Sequence, residues 1–206
     1  MARGSANRDA KMRERLVQEA ARIMAVEGVR DFSQAKRKAA LHLGAPSTTN
    51  LPQNREIQTA LHEYQRLFGG ERQHIAIRTL RETALEAMQF FAPFRPRLVG
   101  AVLDGSANAK SSVDLHCFAE TPEDVVLFLI DQGIPFDTEE KRLRFDEDYE
   151  FIPTHHFVAG EIPIQLTVFT GRGRQHPPRS PVDGRPMQRA GQREVEALLA
   201  NPESVN

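Results

Sequence analysis

The hydrophobic period of this chain changes once, at Pro93 and Pro96, and that change calls for two kinds of structure in one polypeptide. Before it the spacing is helical. From Arg13 to Glu27, Leu16, Val17, Ala20, Ile23 and Met24 form one stripe, and Gly28 stops it. Ser33 is the expected cap of a second helix reaching Leu43, closed by Gly44. Pro46 to Pro52 reads as a loop. A third helix is expected from Asn54, with Ile57, Ala60, Leu61, Tyr64, Leu67 and Phe68 on one side and Gly69-Gly70 at its end. A fourth runs from about Glu71 to Phe91 with Ile77, Leu80, Ala84, Met88 and Phe91 aligned. After the prolines the period shortens. Strands are expected at Arg97–Leu103, Ser112–Phe118, Ile134–Asp137, Lys141–Phe145, Tyr149–Val158 and Ile162–Thr170. A helix capped by Thr121 and opened by Pro122 interrupts them, and a short helix over Gln192–Leu199 closes the chain. The predicted class is α+β: a tail over 1–12, a helical region over 13–96, a mixed sheet with flanking helices over 97–170, and an Arg/Pro-rich tail over 171–206.

Composition narrows the class further. Cys117 is the one cysteine, which rules out a disulfide framework within a monomer and fits a reducing cytoplasm. No run of 18 apolar residues suggests a membrane span, and the start lacks the apolar stretch of a secretory signal, so a cytoplasmic protein is expected. The formal charge of -1 hides an asymmetry. Residues 1–97 carry 17 Lys+Arg against 10 Asp+Glu, whereas residues 98–170 carry 4 against 14. Such halves either dock on one another or divide the work between a nucleic-acid-facing module and a metal-binding one.

The chemistry concentrates in Leu98-Val99-Gly100-Ala101-Val102-Leu103-Asp104-Gly105-Ser106 and in Val113-Asp114-Leu115-His116-Cys117-Phe118. Glycine lets phosphate approach the backbone closely, and backbone N–H groups at a helix start attract it. Residues two apart on a strand share a face, so Asp114 and His116 project together. This layout resembles the nucleotidyltransferase superfamily, with a strand, a Gly-Ser turn opening a helix, and a second strand bearing a metal-binding Asp-x-Asp pair. The resemblance covers residues 97–170 and implies a nucleotidyltransferase-like sheet. It implies a nucleoside triphosphate held by Gly105, Ser106 and Lys110, and a divalent metal, Mg²⁺ or Mn²⁺, held by Asp114 and His116 with Asp104. Asp114 and His116 are then the catalytic pair. His116 stands where the second carboxylate is expected, and the third would fall in Pro163–Phe169, which offers Gln165 and Thr167. An active transferase and a nucleotide-binding relic are both open.

Other segments add alternatives. Residues 13–44 resemble the start of TetR-type helix-turn-helix regulators, through an amphipathic helix, Val26-Glu27-Gly28-Val29 and a capped second helix. Lys36, Arg37 and Lys38 form a basic cluster able to contact nucleic acid. On that reading the protein is a non-enzymatic nucleic-acid-binding or regulatory protein, with the acidic half as a platform for homodimerisation or docking. His155 and His156 are adjacent on a strand and must point to opposite faces. Asp146, Glu147, Asp148 and Glu150 read as a solvated hairpin tip. Arg172, Arg174, Arg179, Arg185 and Arg189 either contact phosphate or wrap the acidic domain.

Overall fold

The structure, a computed structural model, describes residues 2–201. It is α+β: N-terminal helices followed by a five-stranded mixed sheet with flanking helices. Two compact units divide the chain. One takes in the residues up to Gln73 with Pro181–Asp183, and the other takes in His74–Ser180 and the chain from Gly184.

The first unit contains α1 (Ala2–Glu27), α2 (Phe32–His42) and α3 (Asn54–Phe68). The first helix extends back to Ala2, so the expected tail is helical where it is described. Leu16, Ala20 and Ile23 of α1 bury against Ala35 and Ala39 of α2 and Ile57 and Leu61 of α3. Small alanines let these helices approach closely. The long α2–α3 connection is tied down by Arg13. Its guanidinium donates to both carboxylate oxygens of Glu56, at 3.1 and 2.6 Å, and to Asn50 Oδ1 and the Leu51 carbonyl. The cap of α2 is Asp31, not Ser33: Asp31 Oδ1 accepts from the Gln34 N–H at 2.6 Å. Asp31→Ala should therefore cost about 1 kcal/mol, read as a lower denaturant midpoint for this unit, while Ser33→Ala should change little.

The second unit begins inside α4 (Gly70–Phe90), which its helical period groups with the N-terminal helices. The reason is its stripe: Leu80, Ala84, Ala87 and Met88 belong to the sheet's core. After a 3₁₀ turn at Ala92–Phe94 come β1 (Arg97–Val99), α5 (Gly100–Asp104), β2 (Val113–Phe118), α6 (Pro122–Asp131), β3 (Asp137–Phe145), β4 (Asp148–Ala159), β5 (Ile162–Phe169) and α7 (Gln192–Ala200). The strand order is β1-β2-β5-β4-β3, with β2 and β5 parallel and the other pairs antiparallel. The strand expected over 97–103 stops at Val99, because Gly100 takes a left-handed φ of 70° and turns the chain into α5. Of the strands expected at Ile134–Asp137 and Lys141–Phe145, the first is absent, because Ile134, Pro135 and Phe136 form the connection from α6, and the second begins earlier, at Asp137, as β3. α6 starts as expected, with the Thr121 N–H donating to Asp124 Oδ2 at 2.9 Å.

Alternation gives the sheet two unlike faces. Leu98, Val113, Leu115, Cys117, Ile164, Leu166 and Val168 pack into a core with α4 and with Val125 and Leu129 of α6. On the other face the register aligns Asp114 with Gln165 and His156, and His116 with Thr167, Thr154 and Glu139. The expected C-terminal tail is built into this unit: Ala190 exchanges backbone hydrogen bonds with Leu98, and Val195 of α7 is fully buried in the core.

Candidate functional site

The sequence-predicted residues fall in three groups: the end of α5 with the loop after it, then Asp114 and His116 on the polar sheet face. Gly105 has a φ of 81° and caps the C-terminal end of α5, so it closes a helix and does not open one. The Ser106 N–H donates to Asp104 Oδ1 at 2.9 Å, and Ser106 is buried. No helix starts there to present amides to phosphate. Asp104 also faces the Arg81 guanidinium and favours its charged form. Lys110 is exposed in the following loop, where its backbone N–H donates to Asn108 Oδ1 at 2.9 Å.

Asp114 forms the second group. Its Oδ1 accepts from the Ser112 hydroxyl at 2.6 Å, and its Oδ2 lies 3.4 Å from where a Cβ on Gly100 would stand. The carboxylate thus abuts the turn between β1 and α5, five residues before the turn that the sequence points to. The partner across β5 is Gln165. The amide in the third-carboxylate region therefore does face Asp114.

His116 forms the third group. It is 3 % exposed, its ring lies 4.6 Å from that of Phe169, and its Nδ1 accepts from Arg189 Nε at 2.9 Å. Burial pushes its pKa well below the usual imidazole value, and the positive charges of Arg189 and Lys141 push it the same way. Arginine stays protonated, so His116 is neutral with its proton on Nε2. Arg189 lies over the rings of Phe118 and Phe169, at 5.0 and 4.7 Å. Its Nη1 donates to the carbonyls of Gly173 and Arg174 at 2.8 and 3.3 Å, and its Nη2 is buried with no acceptor. Desolvation, with Arg97 adding to it, lowers the Arg189 pKa to about 10.

These arrangements do not fit a divalent metal held by Asp104, Asp114 and His116. His116 spends Nδ1 on an arginine, Asp104 faces Arg81, and among the described residues no group of three or more His, Cys, Asp or Glu side chains is placed to hold a metal. A hard cation needs several oxygen ligands at once.

Elsewhere, Lys38 is paired with Glu27 at 2.5 Å, and Lys36 is half-buried with its pKa lowered by desolvation, which leaves Arg37 as the exposed member of that cluster. Arg22 and Arg13 are also bonded to acids. The helix after Gly44 begins only at Asn54, a connection longer than the tight turn of a DNA-reading helix pair. His155 and His156 do face opposite ways. His155 meets Thr138 and Phe136 on the core side, whereas His156 Nε2 lies 3.0 Å from Glu139 Oε1 on the polar side. Among the described residues no helix is long and apolar enough to cross a membrane. The residues that sequence reasoning missed are Gly100, Arg97 and Lys141. Arg189 stands in the sequence only as one of five tail arginines, and its distinguishing signal, a bond to His116, spans 73 positions. No protein-family model matches this chain, and no curated protein matches it.

Proposed function

We propose that the sheet-bearing unit is a nucleotidyltransferase-like module of the cytoplasm that binds a nucleoside triphosphate without transferring it. The observation that carries this reading is the meeting of the Asp114 carboxylate with the left-handed turn at Gly100. A strand, a glycine turn opening a short helix, and a second strand whose carboxylate returns to that turn follow the layout of the superfamily, with the turn at Gly100 in place of Gly105. The side chains around Asp114 favour binding over transfer. Ser112 holds the carboxylate through its hydroxyl and Gln165 stands in register with it; neither supplies charge for the metal pair that transfer uses, and the Gln165 amide is of a kind that hydrogen-bonds a nucleoside. Asp114 accepts hydrogen bonds from the sugar or base donors of the ligand. Cys117 is a free, fully buried thiol with its pKa pushed up to about 12 by burial, a residue suited to a reducing compartment.

The test compares the four ribonucleoside triphosphates with their nucleosides in thermal unfolding of the full chain. At ten times its dissociation constant one triphosphate should stabilise the fold by about 1.4 kcal/mol. For a unit of this size that is roughly 3–6 °C in Tm. Asp114→Ala should remove most of that shift and leave the unliganded Tm near wild type. An absent shift, or one that Asp114→Ala leaves whole, overturns the reading. Release of pyrophosphate on incubation with acceptors overturns the absence of transfer.

A further inference from the structure

The missing acids on the polar face are matched by surplus cations, and this asks for an anion. Arg97, Lys141 and Arg189 all belong to the sheet-bearing unit. Among the described residues no carboxylate lies within ion-pair distance of any of them. Arg97 and His116 are cross-strand partners and therefore share a face. Arg189 Nε donates to His116 Nδ1, and Lys141 stands two residues along β3 from Glu139, the residue in register with His116, so the three cations share the His116 face. The nearby acids have other hydrogen-bond or ion-pair contacts, Glu194 beside Arg97 itself. Glu139 is held to His156, and Glu194 accepts from the Gly191 N–H at 2.5 Å. Arg97 reaches solvent. It lines a depression of about 530 Å³ with Gly191, Gln192, Arg193, Glu194 and Glu196. Arg189 Nη2 is a buried charged donor with no acceptor, an arrangement that costs stability unless something fills it.

We propose that Arg189, assisted by Arg97 and Lys141, forms a metal-independent oxyanion site that takes the phosphates of a polyphosphate-bearing ligand directly. A guanidinium donates charge-assisted hydrogen bonds to phosphate oxygens and needs no bridging cation; Arg189 does so through Nη2 alone, because Nη1 is bonded to the Gly173 and Arg174 carbonyls. The neutral imidazole of His116 fixes that guanidinium through Nε, which leaves Nη2 for the ligand. The site rests on the nucleotide reading only for what carries the phosphates.

The probe is inorganic tripolyphosphate, measured by calorimetry and thermal unfolding of the full chain with EDTA present throughout. Tripolyphosphate should bind and raise Tm as strongly with EDTA as with Mg²⁺, and its affinity should fall with added salt. Arg189→Gln should weaken it about tenfold or more. Arg97→Gln and Lys141→Gln, on side chains outside the core, should keep the fold and each weaken it about two- to fivefold. Three results overturn the site: no binding, binding that requires Mg²⁺, or an Arg189→Gln protein that is less stable but keeps its tripolyphosphate affinity. The last would make Arg189 a structural pin for residues 171–190. Should Arg189→Gln destroy folding, the Arg97 and Lys141 variants decide alone, and unchanged affinity in both overturns the proposal. If tripolyphosphate binds through Arg189 while the triphosphates bind no better and ignore Asp114→Ala, the oxyanion site stands and the nucleotide reading falls. Nucleotide binding that needs Asp114 and ignores all three cations keeps the nucleotide reading and removes the oxyanion site.

Discussion

Arg81→Ala should destabilise the sheet-bearing unit by about 3 kcal/mol. Arg81 is 3 % exposed on the inner side of α4, and its guanidinium donates to the carbonyls of Val102 at 3.2 Å and of Leu103 and Leu198 at 3.4 Å. Those groups come from the end of α5 and the last turn of α7, where carbonyls lack partners within their own helices. One side chain therefore joins α4, α5 and α7. Burial lowers its pKa and Asp104 only partly opposes that shift, so on balance the site disfavours the charge and the hydrogen bonds hold it there. Truncation leaves three carbonyls short of a donor and opens a cavity. For a unit of this size the expected loss is about 6–12 °C in Tm. Arg81→Met, which fills the space without the donors, should recover part of it. A loss below about 2 °C for Arg81→Ala would mean that desolvating the guanidinium costs as much as its bonds return.

Arg81 also shows where the sequence stops being informative. Its partners lie 21, 22 and 117 positions away, and no local spacing encodes them. Features that depend on local physics were legible. The stripes of α1 and α4, the first half of that of α3, the shared face of Asp114 and His116, and the opposed His155 and His156 all follow from periods of 3.6 and 2, whereas Leu67 and Phe68, expected on the α3 stripe, are exposed. The turn at Gly100 was harder. Leu98 to Leu103 is apolar throughout and suits either a strand or a buried helix, and only the φ of Gly100 decides between them. Gly105 misled for a related reason: a left-handed glycine can end a helix as readily as it can form a phosphate-binding turn.

Segment charge was a poor guide to the site as well. Residues 98–170 are strongly acidic, yet the acids stand on the exposed parts of α6, β3 and the hairpin tip, where Asp146 pairs with Arg179. The groups acting on His116 are cations, one from β3 and one from residue 189. Sheet register and the return of the C-terminal segment place them there. Long-range pairing sets the sign of the local field, and summed charge along the chain does not.

That field has a consequence for acid stability. His116 and His155 are 3 % and 1 % exposed, and both imidazoles titrate below the ordinary value of 6.5. His116 faces Arg189 and Lys141, and protonation would also remove the lone pair that accepts from Arg189. His155 is bonded to Thr138 Oγ1 at 2.9 Å and stands edge-on to Phe136, and its Nε2 is buried without a partner. Below pH 6.5 the unfolded chain takes up protons that the folded chain refuses, so stability falls with pH from 6.5 toward the folded-state values. Each fully suppressed imidazole costs about 1.4 kcal/mol per pH unit across that window. From pH 7 to 5 the pair together should remove up to about 4 kcal/mol. Glu19, in the helical unit, acts in a different window. Its bond to Arg22 lowers its pKa to about 2, so its contribution is lost only as pH falls from about 4.5 toward 2. Urea unfolding at pH 7.5, 6 and 5 should show a steep loss for the wild-type sheet unit. His116→Gln, which still offers Arg189 an acceptor, combined with His155→Leu should flatten the loss between pH 6.5 and 5. An equal decline in wild type and the double variant would show that these imidazoles already take up protons in the folded state.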